Sequence, residues 1–322
     1  MIESPSETMN NVDVPVLDLA PLLAGDDLTA LAAELRNACL NTGFFYVANH
    51  GVPQALVDNI FAAAKRFFDL PEATRREILV DERFRRGYVP FGSSTIPGFK
   101  PDMKERFDWG VDTPLDDPFV VARKPLYGPN KWPQDMPWFR RPAEEFAAAM
   151  TQLGMRLLRV IALSLGMPED HFQGMFGKSC ITHNMIHYPP QVATDGLQNG
   201  ASEHTDYGLL TLLAQDPIGG LEVRRRNGEW IAAPYIPGTF VVNIADLFKV
   251  WTNDIYVSNL HRVVNRSGRE RYSFPTFINT DYDVLVETLP TCITTDRPRK
   301  HEPIKSGDYL LSRFRTIQNY KI

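Results

Sequence analysis

Cysteine is scarce in this chain of 322 residues, which contains only Cys39, Cys180 and Cys292. The number is odd and the three residues lie far apart in the sequence. The pattern therefore offers neither a disulfide framework nor the ligand spacing of a zinc site. Free thiols are typical of proteins that stay in a reducing compartment. We predict three buried thiols and a cytoplasmic location.

An excess of positive charge is also missing. The formal net charge is -5 and the sequence pI is near 5.8. This balance argues against a nucleic-acid partner, because phosphate backbones are bound by surplus lysine and arginine. The one dense basic run, residues 224–226, precedes Asn227 and Gly228, which is typical of a solvated hairpin tip.

No unbroken apolar run approaches the roughly 20 residues that a membrane-spanning helix needs. Residues 1–11 are polar and acidic, and they do not place a cationic segment before an apolar one, as a secretory signal does. We therefore expect neither secretion nor a membrane partner. The composition, with 43% hydrophobic and 23% charged residues, is that of an ordinary globular protein. Nothing in the sequence predicts the oligomeric state.

Helix and strand patterns alternate in the first part of the chain. Strands are predicted at 14–18 and 44–48, and helices at 28–40 and at about 54–68. A long helix is predicted at about 142–165, where Gly166 and Pro168 stop it. This order indicates an α/β region before the remaining part of the chain.

Short strands dominate from Ser179 onward. Segments such as 209–213 and 239–243 are apolar and are separated by Gly, Pro, Asn and Asp, a pattern that favours a sandwich or barrel. The predicted fold is mainly β with flanking α: a double-stranded β-helix, or jelly roll, at about 179–290. An N-terminal α/β and lid-like region at about 1–140 and packing helices complete a single domain over 1–322.

Residues 83–138 are rich in Pro, Gly and aromatic side chains and show little periodicity. A long irregular segment inside a domain is often a lid or a binding loop. We expect it to cover the mouth of the barrel and to contribute Tyr88 or Phe91 to the substrate side of the site.

Three residues form a candidate metal site. His204 and Asp206 are two positions apart, so in an extended segment both side chains leave the same face. His261 lies in a later strand-like run, and the turns between allow a return connection that brings it to the first two. Two imidazoles and one carboxylate on one face of a divalent metal leave three positions open, as O2 chemistry at Fe(II) requires.

Arg271 and Ser273 form a second candidate pair, again on one face of a strand. A guanidinium binds a carboxylate through two parallel hydrogen bonds, and a hydroxyl can donate a third. Because the pair follows His261 closely, we predict that it binds an acidic ligand beside the metal.

These motifs together resemble the 2-oxoglutarate/Fe(II) dioxygenases of the isopenicillin N synthase-like family. The resemblance extends over nearly the whole chain. It includes the segments VPVLDL (14–19), GFFYVANHGVP (43–53), FFDLP (67–71), RGY (86–88), DMKERF (102–107), GGLEV (219–223) and WTN (251–253). Agreement of so many separate motifs by chance is improbable.

The resemblance implies that His204, Asp206 and His261 hold Fe(II) and carry the catalysis. It also implies that Arg271 and Ser273, helped by Tyr188, bind the distal carboxylate of 2-oxoglutarate. In this family O2 is consumed, 2-oxoglutarate is converted to succinate and CO2, and a C–H bond of a small organic molecule is oxidised.

Two departures from the family pattern stand out. Ile186 replaces an asparagine that many members have two positions before the tyrosine, and Pro275 interrupts the strand of Arg271 and Ser273. A proline cannot donate to a β-ladder, so we expect a sheet edge or a bulge there. Two alternatives stay open. One is an oxidase on the same scaffold that does not use 2-oxoglutarate, and the other is a non-catalytic binding module.

Overall fold

The computed structural model describes residues 13–81, 83–191 and 198–316. The α-helices are α1 Ala20–Ala24, α2 Thr29–Asn41, α3 Gln54–Phe68, α4 Glu72–Arg76, α5 Pro118–Val121, α6 Pro137–Ser164, α7 Asp246–Trp251 and α8 Ser306–Phe314. The strands are β1 Val16–Asp18, β2 Phe44–Ala48, β3 Gly87–Val89, β4 Glu105–Gly110, β5 Thr182–Tyr188, β6 Ala201–His204, β7 Leu210–Gln215, β8 Leu221–Arg224, β9 Trp230–Ala232, β10 Phe240–Ile244, β11 His261–Val263, β12 Arg271–Ile278, β13 Leu285–Val286 and β14 Ile304–Lys305.

Two sheets form the jelly roll. The larger has eight strands in the order β1-β2-β10-β7-β12-β5-β4-β3, and the smaller has four in the order β6-β11-β8-β9. Strands from the N-terminal region, β1 to β4, therefore extend the sheet that the later strands build. The space between the sheets is filled by apolar side chains from both, including Phe44, Ile186, Leu221 and Val241.

A second apolar core lies between the larger sheet and the helices. On α3, Ile60, Ala64 and Phe67 are buried at helical spacing, and the helix packs against α6. The helix predicted at about 54–68 is observed over the same residues because its amphipathic pattern is uninterrupted.

Helix α6 is the one helix among the described residues that is long and apolar enough to cross a membrane by length and composition, although charged residues interrupt its apolar run as expected. It has 28 residues, half of its most apolar part is buried, and it packs against α2, α3 and β12. It is therefore a helix of the second core.

Pro275 contradicts the expectation of a sheet edge or a bulge. Strand β12 lies inside the larger sheet, and Pro275 pairs with Leu213 of β7. Pairing with β5 stops after Ser273 and resumes at Thr276 in the same register. The sheet accommodates the missing N–H by interrupting one ladder locally, so the proline needs no bulge.

A buried histidine, His183 on β5, makes the stability of the fold depend on pH. Its Nδ1 lies 3.0 Å from Oγ1 of Thr276 and its ring stacks on Trp109 at a centroid distance of 5.3 Å. Burial, and then the positive charge of Arg86, lower the pKa of His183 to about 3. The unfolded chain binds this proton near the ordinary value of 6.5, so stability is lost as the pH falls below that value.

We expect His183→Gln to weaken this pH dependence, because the variant has no imidazole that only the unfolded chain can protonate. The contribution of His183 is at most about 1.4 kcal/mol per pH unit. Urea unfolding gives the free energy of unfolding at about pH 7.5 and at about pH 5, and the decrease between the two measures the pH dependence. An equal loss in the wild type and the variant would contradict the assignment.

Candidate active site

Two histidines face each other on adjacent strands of the smaller sheet. His204 ends β6 and His261 begins β11, and the two residues are direct partners in the antiparallel register. Opposite residues of an antiparallel pair project from the same face of the sheet. The two imidazole centroids are accordingly 4.2 Å apart.

Asp206 joins this pair from the loop after β6, so it does not share an extended strand with His204 as we expected. Its Oδ1 lies 3.9 Å from Nε2 of His204 and 3.8 Å from Nε2 of His261. One ligand atom from each of the three residues lies within 4.8 Å of the others. The tertiary structure therefore gathers the predicted triad.

Hydrogen bonds orient the triad toward a common point. Oδ2 of Asp206 accepts bonds from Oγ1 of Thr211 at 2.5 Å and from Nδ2 of Asn243 at 2.8 Å, which leaves Oδ1 directed at the histidines. Nδ1 of His204 is 2.7 Å from the carbonyl oxygen of Ser202, so Nε2 faces Asp206. Partners of this kind fix the ring orientation and the tautomer of metal ligands.

The donor set suits a divalent metal such as Fe(II). Asp206 is buried, and within the described ranges no lysine or arginine forms an ion pair with it. Burial raises the pKa of this carboxyl, but the imidazoles of His261 and His204 and the two hydrogen bonds bring it below the ordinary value. Burial, and then His261, lower the pKa of His204 to about 4, so the imidazole is neutral and its lone pair is available.

Arg271 lies between the sheets and is completely buried. Its Nη1 donates to Oγ of Ser273 at 3.1 Å and its Nε donates to the carbonyl oxygen of Gly219 at 2.5 Å. The guanidinium also lies over the ring of Tyr188, 4.7 Å from the centroid. Tyr188 is the register partner of Arg271 on β5, which explains the contact.

No carboxylate among the described residues pairs with Arg271; its partners are neutral oxygens and a ring. An uncompensated buried charge is costly, whereas a guanidinium paired with a carboxylate is well satisfied. Ile186, the register partner of Ser273, is buried and makes the wall beside the pair apolar. The chemistry of this site therefore suits an acidic ligand.

A cavity of about 190 Å³ lies beside His204 and Asp206. As expected, residues of the segment 83–138 line it, but the segment is not irregular throughout, because β3, β4 and α5 belong to it. The prediction that Tyr88 or Phe91 contributes to this cavity is wrong. Tyr88 is buried on the opposite face of the sheet, where its hydroxyl bonds Glu105, and Phe91 does not line the cavity.

The hydrogen-bonding partners of the predicted residues could not be identified from the motifs in the sequence. Thr211 and Asn243 hold Asp206, and Gln215 lies 3.5 Å from Nη2 of Arg271 through its Oε1. Each is a polar residue in an otherwise apolar, buried strand. Since buried polar groups are nearly always hydrogen-bonded, polar residues inside apolar strands are the signal that points to such partners.

Comparison with known proteins decides the family. Residues 14–135 match the family described as non-haem dioxygenase in morphine synthesis N-terminal, and residues 179–280 match the 2OG-Fe(II) oxygenase superfamily. A 2-oxoglutarate-Fe(II) type oxidoreductase of Aspergillus fumigatus is 39% identical over 300 residues, which cover 90% of this chain and 88% of the relative. The chain belongs to the 2OG-Fe(II) oxygenase superfamily.

Two further relatives of this oxygenase agree. Homoarginine-6-hydroxylase 2-ODD-233 of Oryza sativa subsp. japonica is 37% identical, over 94% of this chain and 97% of the relative. The crystal structure of a full-length Neurospora crassa protein in complex with alpha-KG and thymine has a TM-score of 0.83 and 29% identity, and the match covers 94% of this chain and 97% of that one. The protein is therefore a 2-oxoglutarate-dependent Fe(II) dioxygenase with a jelly-roll fold, which confirms the family, the fold and the reaction class that the resemblance implied.

Proposed function

We propose that His204, Asp206 and His261 are the catalytic Fe(II) ligands of this oxygenase. The observation that carries the proposal is the convergence of their ligand atoms within 4.8 Å beside the cavity. A buried carboxylate and two histidines leave open positions on a divalent metal, which a closed structural site does not.

Arg271, Ser273 and Tyr188 bind 2-oxoglutarate in this proposal. The guanidinium and the hydroxyl hold the carboxylate far from the metal, and the ring of Tyr188 keeps the guanidinium in place. The apolar side chains around Arg271 exclude water, which strengthens the pairing of the two charges.

The substrate is a small organic molecule that occupies the cavity next to His204 and Asp206 and is hydroxylated there. When bound, Fe(II) with 2-oxoglutarate and O2 supplies the oxidising power for cleaving a C–H bond. The name of the rice relative mentions homoarginine and the Neurospora crassa complex contains thymine, which supports a small substrate. We further propose that the chain acts as one oxygenase domain over 1–322, in the cytoplasm, without a nucleic-acid or membrane partner.

Succinate formation tests the proposed function. The full chain with Fe(II), 2-oxoglutarate and O2 is expected to release succinate and CO2, at a rate that a substrate increases and a chelator abolishes. Consumption of O2 without succinate would instead indicate an oxidase on the same scaffold. No turnover with any metal, together with bound ligand, would indicate a binding module.

We expect Thr211→Val to weaken metal binding by about 10- to 100-fold, because Asp206 loses one of the two hydrogen bonds that direct its Oδ1. The change keeps the shape of the side chain. Competition for Co(II) with a chelator of known affinity measures the effect. Thr276→Val is the matched control, since this buried hydroxyl bonds His183. Equal metal affinity in both variants would exclude Thr211 as a support of the ligand.

A further inference from the structure

The cavity beside the metal triad contains more than an apolar surface. Four cationic side chains line it, Arg85, Arg86, Lys104 and Arg106, together with the carboxylates Asp102, Asp108 and Asp206. Lys104 pairs with Asp102 at 2.9 Å, and Nε of Arg106 lies 2.8 Å from Oδ1 of Asp108. Lys104 and Arg106 thus match Asp102 and Asp108, and Asp206 belongs to the metal triad. The guanidinium of Arg85 lies over the ring of Phe314, 3.9 Å from its centroid, and Arg86 is a further positive charge within the described lining.

Arg86 is 3% exposed and forms no ion pair within the described part of the chain. Its Nη1 donates to the carbonyl oxygens of Phe84 and Arg85, at 3.1 and 3.3 Å, and its Nε is buried without any hydrogen-bond partner. Carbonyl groups satisfy part of a guanidinium but do not neutralise it. A buried cation with an unsatisfied N–H group needs a further acceptor.

The fold holds this guanidinium at the wall of the cavity. Gly110 ends β4, and a Cβ at that position would lie 2.5 Å from Nη2 of Arg86. Glycine therefore allows the guanidinium to lie directly against the strand. The rest of the lining includes Ile96, Leu126, Phe277 and Leu310, which are apolar.

The metal site itself does not supply the missing negative charge. In the proposed function the negative charges of Asp206 and a dianionic co-substrate balance the positive charges of Fe(II) and Arg271. The positive charge of Arg86 then remains for the substrate to neutralise.

We propose that the cavity selects an anionic substrate, a small carboxylic acid with an apolar body, whose carboxylate pairs with Arg86. This inference rests on the proposed function, because it assigns the cavity beside the triad to the substrate. Charge-assisted hydrogen bonds from a guanidinium are strong and directional, so Arg86 also fixes the orientation of the acid relative to the metal. The apolar wall covers the part of the molecule that is oxidised.

Acid and amide pairs test the proposal. The probes are 3-phenylpropionate, cyclohexanecarboxylate and octanoate, each compared with its primary amide, which has nearly the same shape but no charge. Binding to the full chain with Zn(II) and 2-oxoglutarate is measured by calorimetry, so that no turnover occurs. We expect at least one acid to bind at least about tenfold more tightly than its amide. If no acid in the set binds more tightly than its amide, the proposal is overturned.

Substitution of Arg86 tests whether this side chain causes the preference for the acid over its amide. Arg86→Gln is expected to weaken binding of the preferred acid by about tenfold or more and to leave the amide unchanged, because only the charged pair is lost. Arg225→Gln, on the hairpin between β8 and β9, is the matched control and should bind both as the wild type does. Unchanged acid affinity in Arg86→Gln overturns the proposal.

If Arg86→Gln does not fold, Arg86→Lys keeps the charge and removes the planar fork. We then expect the acid to bind severalfold more weakly and the amide equally; wild-type affinities for both overturn the proposal. The proposed function is judged separately by succinate formation in the wild type. Normal succinate release without acid preference refutes only the substrate class. Acid preference without metal binding or succinate release refutes only the function.

Discussion

Asp206→Ala is expected to abolish succinate formation and to lower metal affinity by at least about 100-fold. Loss of a residue that only supports a metal ligand costs about 10- to 100-fold, and loss of the ligand itself should cost more. Asp206 contributes the only carboxylate of the triad, and its Oδ1 lies 3.9 and 3.8 Å from Nε2 of the two imidazoles. Removing it leaves two neutral nitrogens to hold a divalent cation. Metal content after reconstitution and succinate release are the measurements.

Folding is the control for this result. Asp206→Asn keeps the volume of the side chain, removes its charge and replaces one oxygen by an NH2 group, so a correctly folded but inactive Asp206→Asn separates ligand loss from misfolding. Asp283→Asn changes a surface carboxylate that pairs with Lys124 and Lys305, and this variant should retain activity. Wild-type metal content in Asp206→Ala would refute the triad.

The second large effect is expected at Arg271. Arg271→Ala removes a fully buried guanidinium and should raise the concentration of 2-oxoglutarate needed for half-maximal rate. Loss of one partner of a buried charge pair costs roughly 2–5 kcal/mol. That corresponds to about 30-fold to several thousandfold in affinity. Arg271→Lys should restore only part of it, because an ammonium cannot form two parallel bonds.

Titration of 2-oxoglutarate, by binding and by succinate formation, measures this effect. The matched control is Arg159→Ala, which removes a half-exposed arginine paired with Glu169. If both Arg271 variants need no more 2-oxoglutarate than the wild type, the co-substrate is bound elsewhere. A parallel loss of metal binding would instead point to collapse of the space between the sheets.

Features that depend on near neighbours in the chain could be predicted from the sequence. The helix at 54–68 follows from a regular apolar stripe after Pro53. Arg271 and Ser273 share a face because strand residues alternate, and Nη1 of Arg271 does contact Ser273. The triad could be predicted as a set of residues because few residue types can supply an open metal site.

The arrangement of the cavity could not be predicted in this way. On β4, alternation shows that Glu105 and Phe107 face one side and Arg106 and Asp108 the other, but it does not show which side is the cavity. The pairing of β4 with β5, and the helices that cover one face of the sheet, decide which side of β4 faces the cavity. For the same reason Tyr88 was expected in the cavity and lies in the core.

The sequence by itself determined the fold class, and it was enough to predict a set of three candidate metal ligands and the candidate ligands of 2-oxoglutarate. Only the tertiary structure decided that Thr211 and Asn243 direct Asp206, and that the positive charge of Arg86 faces the cavity. Residue type and spacing limit what chemistry a segment can perform. Which groups meet depends on strand pairings between residues distant in the chain, and no local pattern encodes the registers of those pairings.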